Sequence, residues 1–420
     1  MNASLHNTAT RTDAGPDPLR VLDNGVRVLV HPEPDHPAVA LGVWIEHGSR
    51  FEEAGESGLA HLLEHMLFKG AGEYGVRQIA ELMDRFGHEV DAWTGREMTA
   101  YSLEVLREDA SAALHLLGDM VARPWFPPEE LERERQVVAA EAAMVREDPE
   151  GWLLDELVHG AWPDHAAGRP ILGDPEVIAG ADQATLAAYH AQHYTGGRIL
   201  VAVAGDVDAD AVVAQCEREF GALPEGGRPV DPAPAFHAGQ GTRHGRAEQA
   251  HLALCAPGPA RPDPERFAAG VANHLLGGSV TSRLFRELRE ERGLAYTVYS
   301  DLDTYRDSGL WAAYLAFPAA ETERVRALVH DILDDAAAHG FPPAEVERAR
   351  HSLRAGLLRS GEQLEQRLHQ AVGDLLYHGR PVPRQERLDQ LMAVDAEAVQ
   401  AVLNRSWARR QELLLMPGTD

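Results

Sequence analysis

The chain has 420 residues, 44% of them hydrophobic and 25% charged, with a formal net charge of −27. That size and apolar content suit a globular protein of two domains of about 200 residues each. The acidic excess argues against nucleic acid or an anionic membrane surface as partner, since both need basic patches. It serves solubility, and it is also compatible with a binding chamber that attracts basic peptides. The two cysteines, Cys216 and Cys255, give no disulfide framework. The opening residues carry no apolar signal core, and no run approaches the ~18 apolar residues of a membrane helix, so the cytoplasm is the expected location.

In chain order, residues 1–18 are polar and read as a flexible arm. The turn at Asp23–Gly25 leads into a strand at Val26–Val30, and a second strand is expected at Ala38–Ile45. A helix is predicted over 57–68 with Ser57 as its N-cap, and another over 76–86 closed by Gly87. Glu89–Trp93 and Thr99–Val105 form an expected strand pair, followed by a helix at 109–121. Pro127-Pro128-Glu129-Glu130 opens a long helical pattern to Arg146, and Leu200–Gly205 is a buried strand. Residues 221–241, dense in Gly and Pro, read as a linker. Beyond it the order repeats in outline. A strand at 251–256 precedes helices at 264–276 and 281–291. A strand at 309–316, helices at 319–337 and 343–357, and a last strand at Glu412–Met416 follow. The repeat suggests a duplicated α+β domain, at 19–220 and 242–420.

The chemistry-bearing segment is His61-Leu62-Leu63-Glu64-His65. At i, i+3 and i+4 the two imidazoles and the carboxylate share one helix face. Two histidines one turn apart suit one Zn²⁺, and the Glu between them suits proton transfer from water. This is the H-x-x-E-H order, the reverse of the commoner zinc-peptidase motif. Alone, five residues leave open a helix whose histidines are ordinary surface or core residues. A third ligand is required, and the helix at 129–146 offers several carboxylates. Glu141 stands out because it lies in an apolar stretch, where an unpaired carboxylate is costly to bury. Glu134, two turns earlier, could support a ligand from behind, although both could equally be surface charges.

His61–Gly70, HLLEHMLFKG, resembles the zinc-binding helix of the pitrilysin, insulin-degrading enzyme and mitochondrial processing peptidase family. In that family the third ligand is a Glu about 76 residues beyond the second His, which falls on Glu141, with a supporting Glu seven residues earlier, at Glu134. The resemblance covers nearly the whole chain. Leu22–Val26 looks like the family's opening strand, Gly48-Ser49-Arg50 precedes the zinc helix as in its pattern, and Arg169–Gly173 is similar to a first-domain loop. Ala92-Trp93-Thr94, followed by Glu97, Thr99 and Tyr101, resembles the substrate-binding edge strand. Ser282–Phe285 and Leu288–Tyr296 resemble the second-domain signature, in which Arg289 and Tyr296 would meet substrate. Two positions depart from the pattern: Asp91 stands where Asn is usual, and Ala140 where a Glu often precedes the third ligand.

The resemblance implies two similar domains, each a mainly antiparallel sheet packed against helices, together forming half of a clamshell. It implies a zinc metalloendopeptidase acting on peptides or small unfolded polypeptides in a closed chamber, with one Zn²⁺ per chain on His61, His65 and Glu141. Glu64 would be the general base, Ala92–Thr94 the strand to which substrate adds, and Arg289 and Tyr296 the holders of the substrate carbonyl. Since longer members carry four such domains, a homodimer or a heterodimer with a related chain is expected. A non-catalytic peptide-binding or structural subunit is the alternative, although such chains usually lose the zinc residues retained here.

Overall fold

The computed structural model describes residues 19–87 and 90–418. The expected arm at 1–18 and Glu89 lie outside the described residues. The first half contains β1 (Leu19–Val21), β2 (Arg27–Pro32), β3 (Ala38–Ile45), a small hairpin of β4 (Gly70–Ala71) and β5 (Tyr74–Gly75), β6 (Asp91–Thr94), β7 (Thr99–Leu106) and β8 (Ile199–Gly205). Its helices are α1 (Leu59–Met66), α2 (Val76–Phe86), α3 (Ala110–Ala122), α4 (Pro128–Glu147), α5 (Pro149–Ala161), α6 (Pro175–Gly180), α7 (Gln183–His193) and α8 (Ala209–Phe220). The second half contains β9 (Gly239–Gly245), β10 (Ala250–Gly258), β11 (Thr297–Thr304), β12 (Gly309–Phe317) and β13 (Gln411–Pro417). Its helices are α9 (Arg266–Leu276), α10 (Thr322–His339), α11 (Pro343–Ser360), α12 (Leu364–His378), α13 (Arg384–Met392) and α14 (Ala396–Trp407).

Six strands form one sheet in the order β1-β2-β8-β3-β7-β6, and five form another in the order β11-β12-β10-β13-β9. Each sheet is antiparallel except for one parallel pair, β2 with β8 and β9 with β13. The central strands bury both faces, which is why they read as continuous apolar runs. Along β3, Val39, Leu41, Val43 and Ile45 face one core, and Ala40 and Trp44 face another. Along β10, Leu252 and Leu254 face one core, and Ala253 and Cys255 the other.

The helices that cover these faces are partly exchanged between the halves. The first sheet packs one face on α1, α3 and α8 through residues such as Leu62, Leu117 and Phe220. Its other face takes Leu364, Leu368, Val372 and Leu375 of α12, from the far end of the chain. Reciprocally, Leu153, Leu157 and Ala161 of α5 cover the second sheet at Cys255, Leu310, Tyr314 and Leu413. Each of these buried Leu or Val side chains contributes about 1.5–3 kcal/mol relative to exposure.

A charged clasp ties the halves at one end. Arg50, with a side chain 1% exposed, donates to Glu97 at 2.8 Å and to both oxygens of Asp307 at 3.1 and 2.9 Å. Its Nε reaches Asp231 at 3.3 Å. Glu97 in turn accepts from the Arg306 backbone N–H. Asp231 lies in the Gly/Pro-rich segment, which is thereby pinned between the halves. Strand β9 begins at Gly239, so the last three residues of the expected linker join the second sheet.

Several local expectations are corrected. The helix predicted over 57–68 is α-helical only over Leu59–Met66 and tightens to a 3₁₀ turn at Leu67–Lys69. Ser57 does not cap it; the N-cap position is Gly58, in the left-handed region at φ 95°. The expected helix at 281–291 is wound as a π-helix over Phe285–Glu290, with the Glu291 N–H reaching back to the Arg286 carbonyl at 2.9 Å.

Candidate metal and active site

Helix α1 leaves the first sheet with its apolar side, Leu59, Leu62, Leu63 and Met66, in the core. The remaining stripe turns His61, Glu64 and His65 toward α4 and β6, as helical spacing dictates. His61 Nε2 and His65 Nε2 each lie 3.7 Å from Glu141 Oε2. One ligand atom from each of the three residues falls within 4.8 Å of the other two. A tetrahedral zinc ion with bonds of about 2.0–2.1 Å needs ligand atoms about 3.3 Å apart, so small side-chain adjustments close the set.

The surroundings favour the metal-binding forms. Burial, and then the neighbouring His65, push the His61 imidazole down to about 4, which keeps its lone pair free near neutrality. Glu134, 7% exposed, is hydrogen-bonded to His65 Nδ1 at 3.0 Å and to Lys69 Nζ at 2.8 Å. With Nδ1 donating to that carboxylate, His65 presents Nε2 as an acceptor toward Glu141. Glu141 itself is 38% exposed, so the apolar stretch around it does not bury it. Val137 and Met144 on the same helix are exposed, at 48% and 63%. These donor types and distances fit a zinc ion.

Glu64 projects beside this set, and the Thr94 hydroxyl donates to its Oε2 at 2.5 Å. Burial raises the Glu64 pKa, the Thr94 bond and His65 oppose the rise, and Glu141 and Asp91 add to it. Asp91, one of the two departures, therefore brings a negative charge that Glu64 feels. Ala140, the other, is exposed and has no side chain to reach the site.

Strand β6 is the outermost of its sheet. Ala92, Trp93 and Thr94 pair with Tyr101, Ala100 and Thr99 on one side, and no strand pairs on the other among the described residues. The strand packs against α1, with the Thr94 side chain on Glu64. Arg289 and Tyr296 sit in the second half. The Arg289 guanidinium stacks over the Tyr296 ring at 4.7 Å and the Phe285 ring at 4.8 Å, and Tyr296 is 77% exposed. Among the described residues no hydrogen bond or ion pair joins either one to His61, Glu64, His65 or Glu141 of the same chain.

Sequence reasoning did not find Lys69, Thr94 as the partner of Glu64, or the clasp at Arg50. Lys69 carried a signal, since it lies one turn beyond His65 and so can share Glu134. Among the described residues a second group with metal-ligand proximity is His115, Asp119 and Glu219. Arg123 already bridges both of its carboxylates, which satisfies them as an ion-pair network.

This fold with an H-x-x-E-H helix beside an open edge strand defines the insulinase class of architecture, and comparison with known proteins agrees. The model of the insulinase family, peptidase family M16, matches residues 27–175, and that of the peptidase M16 inactive domain matches residues 181–353. An uncharacterized zinc protease of Mycobacterium tuberculosis is 37% identical, over 93% of this chain and 90% of its own length. One from Bacillus subtilis is 34% identical, over 94% and 96%. Among solved structures, a peptidase M16 inactive domain from Pseudomonas fluorescens superposes with a TM-score of 0.87 at 25% identity, covering 96% of this chain and 98% of that one. A protease from Helicobacter pylori has the same fold, with a TM-score of 0.86 at 21% identity, over 95% and 99%. The chain belongs to the M16 peptidase family. Among the described residues no helix is long and apolar enough to cross a membrane.

Proposed function

We propose that this chain is a zinc metalloendopeptidase that hydrolyses peptides or small unfolded polypeptides. The observation that carries the reading is the convergence of His61, His65 and Glu141 on one point beside Glu64. These three residues would hold one Zn²⁺ per chain, which when bound supplies Lewis-acid polarisation of the scissile carbonyl. Glu64, with its raised pKa, takes the proton of the attacking water and returns it to the leaving amine. The free edge of Ala92–Thr94 receives the substrate as an added strand, which fixes its backbone and leaves side-chain selectivity loose.

Tyr296 is exposed with Arg289 stacked on its ring, and among the described residues no hydrogen bond or ion pair ties either to its own chain's metal residues. We assign them to the oxyanion side of a partner's site, in a homodimer or a heterodimer with a related chain that closes the chamber. Two free, buried cysteines fit a reducing cytoplasm.

Glu64→Gln tests the reading. The variant should retain one zinc per chain by metal analysis while kcat/KM on a quenched fluorescent peptide falls about 10²–10⁴-fold. Unchanged turnover, or wild-type protein that binds no zinc, overturns it.

A further inference from the structure

The cap of α1 is supplied from outside the helix. Gly58 occupies the N-cap at φ 95°, and a Cβ there would lie 2.9 Å from the Gly173 Cα. No capping side chain fits at that position, and the Ser57 carbonyl is engaged by the Asp174 N–H at 3.1 Å. The first-turn donors turn instead to Glu52. Its Oε2 accepts from the Gly58 N–H at 2.9 Å, and its Oε1 accepts from the Ala60 N–H at 2.8 Å. Ala60 immediately precedes His61.

Glu52 is 4% exposed, and among the described residues no cationic side chain forms an ion pair with its carboxylate. A simple cap is ordinarily a Ser, Thr, Asp or Asn at the N-cap itself. A buried acid six residues upstream is a costlier solution, because burial penalises its charge. Burial raises the Glu52 pKa to about 7, against the opposing pull of the two backbone N–H groups and Arg169, while Glu56 adds to the rise. Tyr189 closes the pocket, donating to Oε1 at 3.5 Å, with His47 bonded behind it at 2.9 Å. The Glu52 carbonyl is held by Arg169, and two residues upstream Arg50 is locked in the clasp. The carboxylate is thus a fixed point from which the helix is hung.

The geometry points to Glu52 as the positioning residue of the metal helix: by holding the Gly58 and Ala60 N–H groups it sets the rotation of α1 that turns His61 and His65 toward Glu141. This rests on the zinc reading of those three residues. It differs from a merely stabilising cap in a measurable way. Because the folded-state pKa of Glu52 is raised, the folded state favours its neutral form, and the stability it contributes at low pH is lost as pH rises from the ordinary Glu range through about 7. Gln removes the buried charge but keeps one acceptor oxygen, so one of the two N–H groups loses its partner. Relief of the charge at pH 8 offsets that loss, and stability should change little while the helix is misplaced.

The test is a zinc titration against a competing chelator at pH 8, with each protein folded by circular dichroism. It compares wild type, Glu52→Gln and the exposed neighbour control Glu53→Gln. Glu52→Gln should bind zinc about tenfold more weakly, with a Tm close to that of wild type, while Glu53→Gln matches wild type in affinity. A Glu52→Gln affinity within about twofold of wild type, or an affinity loss only in step with a fallen Tm, overturns the proposal. If the Gln variant does not fold, Glu52→Asp decides. It keeps the charge but lacks the reach for both N–H groups, and an unchanged zinc affinity there overturns the proposal, whereas about threefold weaker binding supports it. Wild type that fails to bind one zinc per chain would instead sink the metal reading, a separate result.

Discussion

The two halves are built on one frame and carry different chemistry. Listed from the parallel edge inward, β2-β8-β3-β7-β6 in the first sheet corresponds to β9-β13-β10-β12-β11 in the second, with every pairing of the same sense. In both, a helix follows the central strand. In the first half it is α1, with His61, Glu64 and His65 on its open stripe. In the second it is α9, whose buried residues are Ala268, Ala269, Val271, Ala272, Leu275 and Leu276, and which carries the single imidazole of His274. The outermost strand also differs: β6 is four residues long and lies against the metal helix, whereas β11 has eight and is preceded by Tyr296 and the π-turn of Arg289. The frame therefore fixes where a helix and an edge meet, and a few side chains decide what that meeting point offers: a cluster of two histidines and a carboxylate in the first half and the lone imidazole of His274 in the second.

The sharpest way to break this division of labour is to disable each half in a separate chain. Arg289→Ala should cost about 10²–10³-fold in kcat/KM with zinc content unchanged. Mixed and reassorted with Glu64→Gln chains, it should recover about a quarter of wild-type activity if a two-fold dimer shares its sites, since half the dimers are mixed and each holds one intact site. No recovery in a mixture shown to exchange subunits would place Arg289 in cis or outside the reaction. Next in size is the coupling of the halves. Arg50→Met takes the buried guanidinium from Glu97 and leaves that carboxylate only Arg306, so it should destabilise the fold by about 1.5–3 kcal/mol in chemical denaturation. A loss below about 1 kcal/mol would mean that solvent relieves the clasp. The smallest effect compares the cores through their thiols. Cys216 is pushed up to about 12 by burial, and Cys255, under α5, is raised further by the same cause. Neither should react with a thiol reagent at pH 8 faster than global unfolding. Early labelling of Cys255 alone would show that α5 opens by itself.

The metal constellation was legible because its spacing is local: i, i+3 and i+4 put three groups on one helix face without knowledge of the fold. Glu141 stands out by its apolar stretch and Glu134 by lying two turns earlier, but that stretch is largely exposed in the fold, so it is the family distance that separates the two from the other carboxylates of α4. The cap at Glu52 was not legible, because Ser57 offers the stronger local signal and the real acceptor depends on a loop bringing Gly173 against Gly58. Strand β9, GQGTRHG, has no apolar residue, and backbone pairing with β13 is what makes it a strand. Helices α5, α6, α7, α8, α12, α13 and α14 have no counterpart among the expected elements, and for α5 and α12 the apolar stripe answers to a sheet in the other half.

That exchange has a consequence for how the protein is made. When the last strand of the first sheet leaves the ribosome, the face bearing Leu29, Ala40, Trp44 and Leu200 is complete but bare. Its cover, α12, lies about 160 residues downstream, which at about 5–20 residues per second is on the order of ten seconds of translation or more. Through that interval the nascent chain presents an apolar sheet face to the cell, so its yield should depend on chaperone supply more steeply than its finished stability would suggest.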